Sequence, residues 1–390
     1  RLSVVGADRV VAVRDSFRWT HDRFVFGSTH AHAAAPVWLG LRGARAADDA
    51  EALVPLLEIV GHLGWDCLRE PAHPFPAGSR PYDADALIAA IEAEDEAAAV
   101  ALIRGALAAG LSHADIEPAL ARAALAHYQD FGHSAIYVLK TGELIDRLGP
   151  TVADPLLLAL VRSLVYARRE DLIPEFRAYG PALARWDGAG DRPPVAADFR
   201  RLPVAKALDL ALDSSADIPG LYAALFEAAA WQMLHFDLDR QDRVAQPVAQ
   251  NVNWLDFTHG LTFANAVREL SGRYPDLWPA GLLQMACFLG RNAGFVDAAQ
   301  DVSGWAVDDA QAFLAEAETR LFDHGQPEYI VSAHLLKVVT AARAELAAAP
   351  GAPWAPTLLA AVRRFLESPL KRKHTLRMAR QALDFTALEG

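Results

Sequence analysis

The stretch Asp130-Phe131-Gly132-His133-Ser134-Ala135-Ile136-Tyr137-Val138-Leu139-Lys140, running on to Leu148 and closed by Gly149-Pro150, decides how this chain folds. It reads as one helix, starting near Asp130 and ending at Leu148, because proline has no amide hydrogen to donate and bars helix from the residue before it. Upstream, three more helices are predicted at close spacing, over 84–93, 94–109 and 114–127, with Gly110 as a C-terminal cap. An earlier amphipathic helix over 47–68 carries Leu53, Leu56, Leu57, Val60 and Leu63 at helical period. A connector rich in proline (Pro71, Pro74, Pro76, Pro81) separates it from the others. Downstream, Asp187 to Pro203 is the most loop-like region. Beyond it helices are indicated over 204–212, 217–236, 255–271, 279–292, 307–323, 327–348, 355–367 and 370–386. Only the Val-rich start, Leu2 to Val13, suggests a short strand pair. The expected fold is all-α, a multi-helix bundle or helical-repeat array with internal pseudo-symmetry. An N-terminal segment (1–82) and two helical halves (83–186 and 204–390) are read as one continuous fold.

Composition agrees. Of 390 residues, 53% are hydrophobic, enough to bury a large core, and alanine dominates them. Alanine costs least in a helix because it has no side-chain freedom to lose. The formal charge of −12 argues against nucleic acid as a partner, since neutralising phosphates needs clustered Lys and Arg, and the basic run Lys371-Arg372-Lys373-His374 is short and isolated. No apolar run reaches the ~18–20 residues that span a bilayer. The two cysteines, Cys67 and Cys287, lie far apart in no CxxC pattern, which disfavours a disulfide scaffold or a zinc ribbon and points to a reducing cytoplasm.

The quoted stretch has a counterpart. In the first half a helix closes on His127-Tyr128, followed by Asp130-Phe131-Gly132-His133; in the second a helix closes on His235-Phe236, followed by Asp256-Phe257-Thr258-His259. A repeat at this spacing suggests a duplicated helical hairpin. Degraded units are read at His324 and His334 and at Thr29-His30-Ala31-His32, with His62 following. Stacking such helices would let the imidazoles converge on one interior site. Residues three apart on a helix lie ~60° apart in projection, so Asp130 and His133 share a face, as do Asp256 and His259. With His127 or His235 added, each half offers two imidazoles and a carboxylate, the ligand set of non-haem Fe(II) oxygenases. The metal ligands expected on this reading are His127, Asp130, His133, His235, Asp256 and His259, with His334 and then His30 or His32 as further ligands or acid–base groups. The competing structural reading takes the aspartates as helix caps and the histidines as bonded to backbone carbonyls.

Other chemistries fail on pattern. Gly132-His133-Ser134-Ala135 lacks both the closing glycine and the preceding strand of a nucleophile elbow. Asp187-Gly188-Ala189-Gly190 lies in a proline-rich loop, not between a strand and a helix, so it is no dinucleotide fingerprint.

The phrases His133-Ser-Ala-Ile-Tyr-Val, Thr258-His259-Gly-Leu-Thr-Phe-Ala-Asn-Ala and His334-Leu-Leu-Lys337 resemble, in order and separation, the histidine-bearing helices of the questin oxidase-like family. The resemblance spans roughly 120–345. It implies a largely helical fold and oxygen-dependent, Baeyer–Villiger-like ring opening, with His133, His259 and His334 lining the catalytic pocket. Such chemistry normally uses a flavin, for which no fingerprint is present. Iron held by histidines, mono- or dinuclear, or a substrate that itself activates oxygen, would fill the gap. The expected partners are a small organic substrate, dioxygen and an electron-donor protein, with oligomers allowed. If no metal is held, the histidines become general bases, or the chain is a helical-repeat scaffold.

Overall fold

The computed structural model describes residues 9–369 apart from 69, 244, 248 and 249, together with 381, 383, 384 and 387. Among these residues there are seventeen α-helices and no strand. In chain order they are α1 (Arg9–Thr20), α2 (His30–Arg45), α3 (Asp49–Cys67), α4 (Ala84–Glu92), α5 (Glu96–Ala108), α6 (His113–Leu125), α7 (His133–Leu148), α8 (Ala153–Val165) and α9 (Tyr179–Arg185). They continue with α10 (Ala196–Phe199), α11 (Val204–Asp213), α12 (Ile218–Leu234), α13 (Trp254–Arg273), α14 (Trp278–Asn292), α15 (Ala310–Arg320), α16 (Tyr329–Ala348) and α17 (Ala355–Glu367). The fold is all-α.

Local chemistry sets the ends of these helices. Asp48, Asp83, Asp95, Asp217 and Asp309 each accept a backbone N–H of the helix that follows, satisfying donors the helix leaves bare. Gly110 and Gly149 follow helix ends at φ 78° and 86°, a conformation glycine adopts without steric cost. The Val-rich start departs from expectation: it is helical from Arg9, with Val13 and Phe17 one turn apart in the core, while residues 1–8 lie outside the described ones. Valine's strand preference is weak, and packing of one face overrides it. The helix predicted over 370–386 likewise lies outside the described residues, apart from 381, 383 and 384.

A single apolar cluster extends from Val13 to Phe365 and runs through both halves of the chain. Buried polar side chains pin it. The Gln284 amide donates to the carbonyls of Leu125 and His127, tying α14 to the end of α6. The Arg364 guanidinium donates to the carbonyls of Leu234 and Phe236 where α12 ends. At the centre four helices close a ring: α2 packs on α7, α7 on α13, α13 on α16, and α16 back on α2. No described helix is long and apolar enough to cross a membrane.

Candidate metal centre

Each helix of the ring contributes one histidine. His30 is the first residue of α2 and His133 the first of α7, while His259 and His334 are each the sixth residue of α13 and α16. Their Nε2 atoms meet. His30 and His133 are 3.1 Å apart, His133 and His259 2.9 Å, and His259 and His334 3.5 Å. Among the described residues, His30, His259 and His334 form the one group of metal-ligating side chains whose ligand atoms all lie within 4.8 Å of each other.

The opposite nitrogens fix the protons. Nδ1 of His133 lies 2.6 Å from the Asp130 carbonyl, Nδ1 of His259 2.5 Å from that of Leu255, and Nδ1 of His334 2.6 Å from that of Ile330. A carbonyl can only accept, so each Nδ1 carries a hydrogen and donates it. In a neutral ring the Nε2 is then a bare lone pair. Two such lone pairs, on His133 and His259, face each other at 2.9 Å with no proton to share. Charging a ring would supply one, but burial and the positive Lys337 oppose it. Burial, reinforced by Lys337, pulls His133 down to about 4. Burial is also the main force holding His30, His259 and His334 well below the ordinary imidazole value.

A cation between the rings resolves this arrangement. Imidazole binds zinc at about 2.0–2.1 Å, so two ligands at adjacent corners of a tetrahedron stand ~3.3 Å apart. The separations of 2.9–3.5 Å bracket that value. A backbone carbonyl behind a ligating imidazole is also the usual orienting partner, fixing both tautomer and ring plane. One ion fits His30, His259 and His334, while His133 lies against His30 and His259 but outside that group.

The turn before α7 aims His133. Asp130, Phe131 and Gly132 all have positive φ, at 46°, 51° and 75°. Side chains at the first two make this a strained segment, of the kind that persists only where surroundings enforce it. The Glu170 carboxylate accepts the Phe131 amide hydrogen at 3.1 Å, and the Phe131 ring lies 5.1 Å from that of His259. A β-carbon on Gly132 would sit 2.7 Å from a Phe263 ring carbon and 3.0 Å from one of Phe288. Gly132→Ala is therefore expected to destabilise the protein by about 2–4 kcal/mol. It should also weaken metal retention, read as a lower melting temperature and a lower bound-metal fraction together.

The remaining expected ligands lie elsewhere. His127 is an ion-pair partner of Glu92 (2.6 Å) and Asp171 (3.0 Å). His235 stacks on Trp231 and bonds the Asp297 carbonyl. Asp256 does not pair with His259: its carboxylate caps α13 by accepting the Asn253 amide at 2.7 Å and pairs with Arg291 at 2.9 Å. Asp130 reaches His133 through its carbonyl, not its carboxylate. His32 accepts the Thr29 amide hydrogen in a capping box and packs between Phe17 and Phe24. The structure thus brings together His30, His133, His259 and His334 and leaves out His32, His127, His235, Asp130 and Asp256.

Lys337 was not foreseen as a site residue. It follows His334 by three residues, and that helical spacing was the signal that could have found it. It is 4% exposed and its Nζ has no hydrogen-bond partner. Burial, helped by Lys140, brings it down to about 7. Its charge acts on all four imidazoles, so it stands beside the centre. A cavity of about 400 Å³ opens on the far side, walled by Val37, Ile136, Thr262 and Lys337 from the four ring helices. Each wall residue lies three or more positions after its helix's histidine. All four helices therefore run in the same sense from the imidazoles toward the cavity. None of the four imidazoles lines this cavity, which lies one turn beyond them and shares Lys337; a larger cavity of about 490 Å³ between α15 and α17 has neither these imidazoles nor Lys337 in its wall.

Comparison with protein-family models, curated proteins and solved structures finds no match to this chain.

Proposed function

We propose that this chain is an oxygen-dependent oxidoreductase of monooxygenase type, in which His30, His259 and His334 hold one divalent transition-metal ion and His133 stands beside it. The observation that carries the reading is the set of bare Nε2 lone pairs on His133, His259 and His334, fixed by backbone carbonyls and facing one another with no proton between them. Imidazole suits iron, copper, nickel and zinc. Iron is preferred because the resemblance to the questin oxidase-like family points to dioxygen chemistry, for which a redox-active ion is needed. The ion would supply dioxygen activation. The chain's own groups orient the ligands through Nδ1, exclude water with Phe131 and Tyr137, and offer a cavity to a small organic substrate. Placing one oxygen atom in substrate and reducing the other to water takes two electrons, the role of an electron-donor protein. Cytoplasm is the proposed compartment, both cysteines being free thiols.

A metal-free oxygenase using histidine general bases is less well supported. A general base works best with a pKa near the working pH, and burial has moved these rings well below it. A scaffold has no evident use for four imidazoles held Nε2 to Nε2, His259 and His334 buried and His30 and His133 half-buried.

Oxygen uptake tests the reading. Iron-loaded protein is expected to consume oxygen with members of a hydroxyquinone panel when a chemical reductant is supplied. Chelated protein should be at least tenfold slower. Uptake that survives strong chelators would move the assignment to the metal-free oxygenase, and absence of uptake in both forms would overturn the oxygenase reading.

A further inference from the structure

We infer that the cavity beside the four imidazoles binds an organic monoanion with an apolar body, its acidic oxygen pairing with Lys337 Nζ. The inference rests on the proposed reading in taking this cavity as the substrate chamber.

The cavity is built from apolar wall with one buried charge that has no partner, Lys337, and an exposed guanidinium, Arg147, at its edge. Pro36, Val37, Leu41, Ile136, Leu139 and Ala266 supply apolar surface, and about 400 Å³ falls within the range of small-ligand sites. The carboxylates that reach the cavity already have cationic partners. Glu143 pairs with Lys140 at 2.7 Å, Glu269 with Arg268 at 2.8 Å, and Glu318 with Arg45 at 2.7 Å and with Arg343. None of them reaches Lys337, whose ammonium is buried without an acceptor. An unpaired buried amine is costly unless something else supplies the acceptor.

The metal side adds to the same sign. Four neutral imidazoles cancel none of a divalent ion's charge, and the described residues place no carboxylate among them. α2 and α7 also begin at His30 and His133, so the positive ends of two helix dipoles lie at the imidazoles, one turn or more from the cavity wall. In a chain of formal charge −12 this is a local positive pocket with apolar walls. An anionic oxygen on an apolar frame, such as a carboxylate or an enolate, meets both. A neutral molecule would leave Lys337 unpaired, and a small inorganic anion would leave the apolar wall wet.

Calorimetry on the full-length protein with matched acid and amide pairs tests this. The probes are benzoate, 2-naphthoate and decanoate, each against its primary amide, with metal content measured on the same samples. At least one acid is expected to bind tenfold or more tighter than its amide. Lys337→Met should reduce that ratio below threefold without changing metal content, and Lys337→Arg should retain it. Equal binding of every acid and amide, no binding of any probe, or a preference that persists in K337M would overturn the inference. If the preference depends on Lys337 in a protein that holds no metal, the inference stands and the metal reading fails. If the metal loads but no preference appears, the inference alone fails.

Discussion

Replacing His259 with alanine is expected to lower metal affinity by at least ~100-fold, since losing even an outer-shell partner of a ligand typically costs 10–100-fold. His259 is the hub of the cluster, its Nε2 lying 2.9 Å from that of His133 and 3.5 Å from that of His334. The effect on folding separates ligation from simple packing. In metal-loaded protein the wild-type ion adds stability by mass action, about 4 kcal/mol at a thousandfold excess over its dissociation constant. H259A forfeits that term. In chelated protein the substitution removes one of the facing lone pairs, so part of the cavity cost is offset. The gap in melting temperature between wild type and H259A should therefore be wide in the presence of metal and narrow in its absence. His127→Ala and His235→Ala serve as controls, because those rings bond to Glu92, Asp171 and the Asp297 carbonyl away from the centre. They should leave metal affinity unchanged. A His259 that merely packs would give the same gap with and without metal.

The second large effect is acid sensitivity of the chelated protein. Burial lowers His133 and His62 to about 4 and His32 to about 3, and holds His30, His259 and His334 well below the ordinary value. Above pH 6.5 these rings are neutral in both folded and unfolded chains and contribute no slope. As pH falls through 6.5 the unfolded chain takes up protons that the folded one refuses, so stability falls. Each ring still neutral at pH 5 costs about 2 kcal/mol there. Three carboxylates work the other way, Asp66 among them because burial raises it. Burial raises Glu170 to about 7 and Asp130 to about 6, so their contribution is fully present below the unfolded value and is lost as pH rises through 6–7. Eight lowered rings, His113 and His235 included, against three carboxylates leave a net loss of several kcal/mol between pH 6.5 and 5. Lys337, lowered to about 7, contributes stability only above that pH, so it is not part of this window. Urea denaturation of chelated protein across pH 5–7.5 reads the slope. A flat profile would mean that the rings are not buried as neutral imidazoles.

The helical architecture was legible because alanine-rich periodicity, aspartate caps and Gly-Pro stops are local signals. Helix α17 matches its predicted bounds of 355–367, and α13 and α16 lie within two residues of theirs. Convergence of histidines from several helices was also readable from their recurrence near helix starts. The ligand set was harder, because the duplicated Asp-Phe-x-His phrase folds in two ways. Around His259 it lies inside a helix, with Asp256 completing a capping box. Around His133 it is a left-handed turn, with Gly132 at φ 75° immediately before the helix begins. Equal spacing therefore did not give equal geometry, and neither aspartate became a partner of its histidine's Nε2. His127 and His235 looked like ligands because each follows the end of the α-helix before one that carries a converging histidine. The partners that hold them, Glu92 and Asp171 for His127 and the Asp297 carbonyl for His235, come from distant parts of the chain that no local pattern reports. His30 and His32 illustrate the same limit: two residues apart, one faces the centre and the other caps its own helix.

The imidazole cluster is proposed to hold a metal ion through His30, His259 and His334, and the most direct measurement is transition-metal content per chain. Protein purified without chelator, then reconstituted and dialysed, should retain close to one equivalent of a divalent transition metal. Less than about a tenth of an equivalent of every first-row ion offered, iron included, would contradict it.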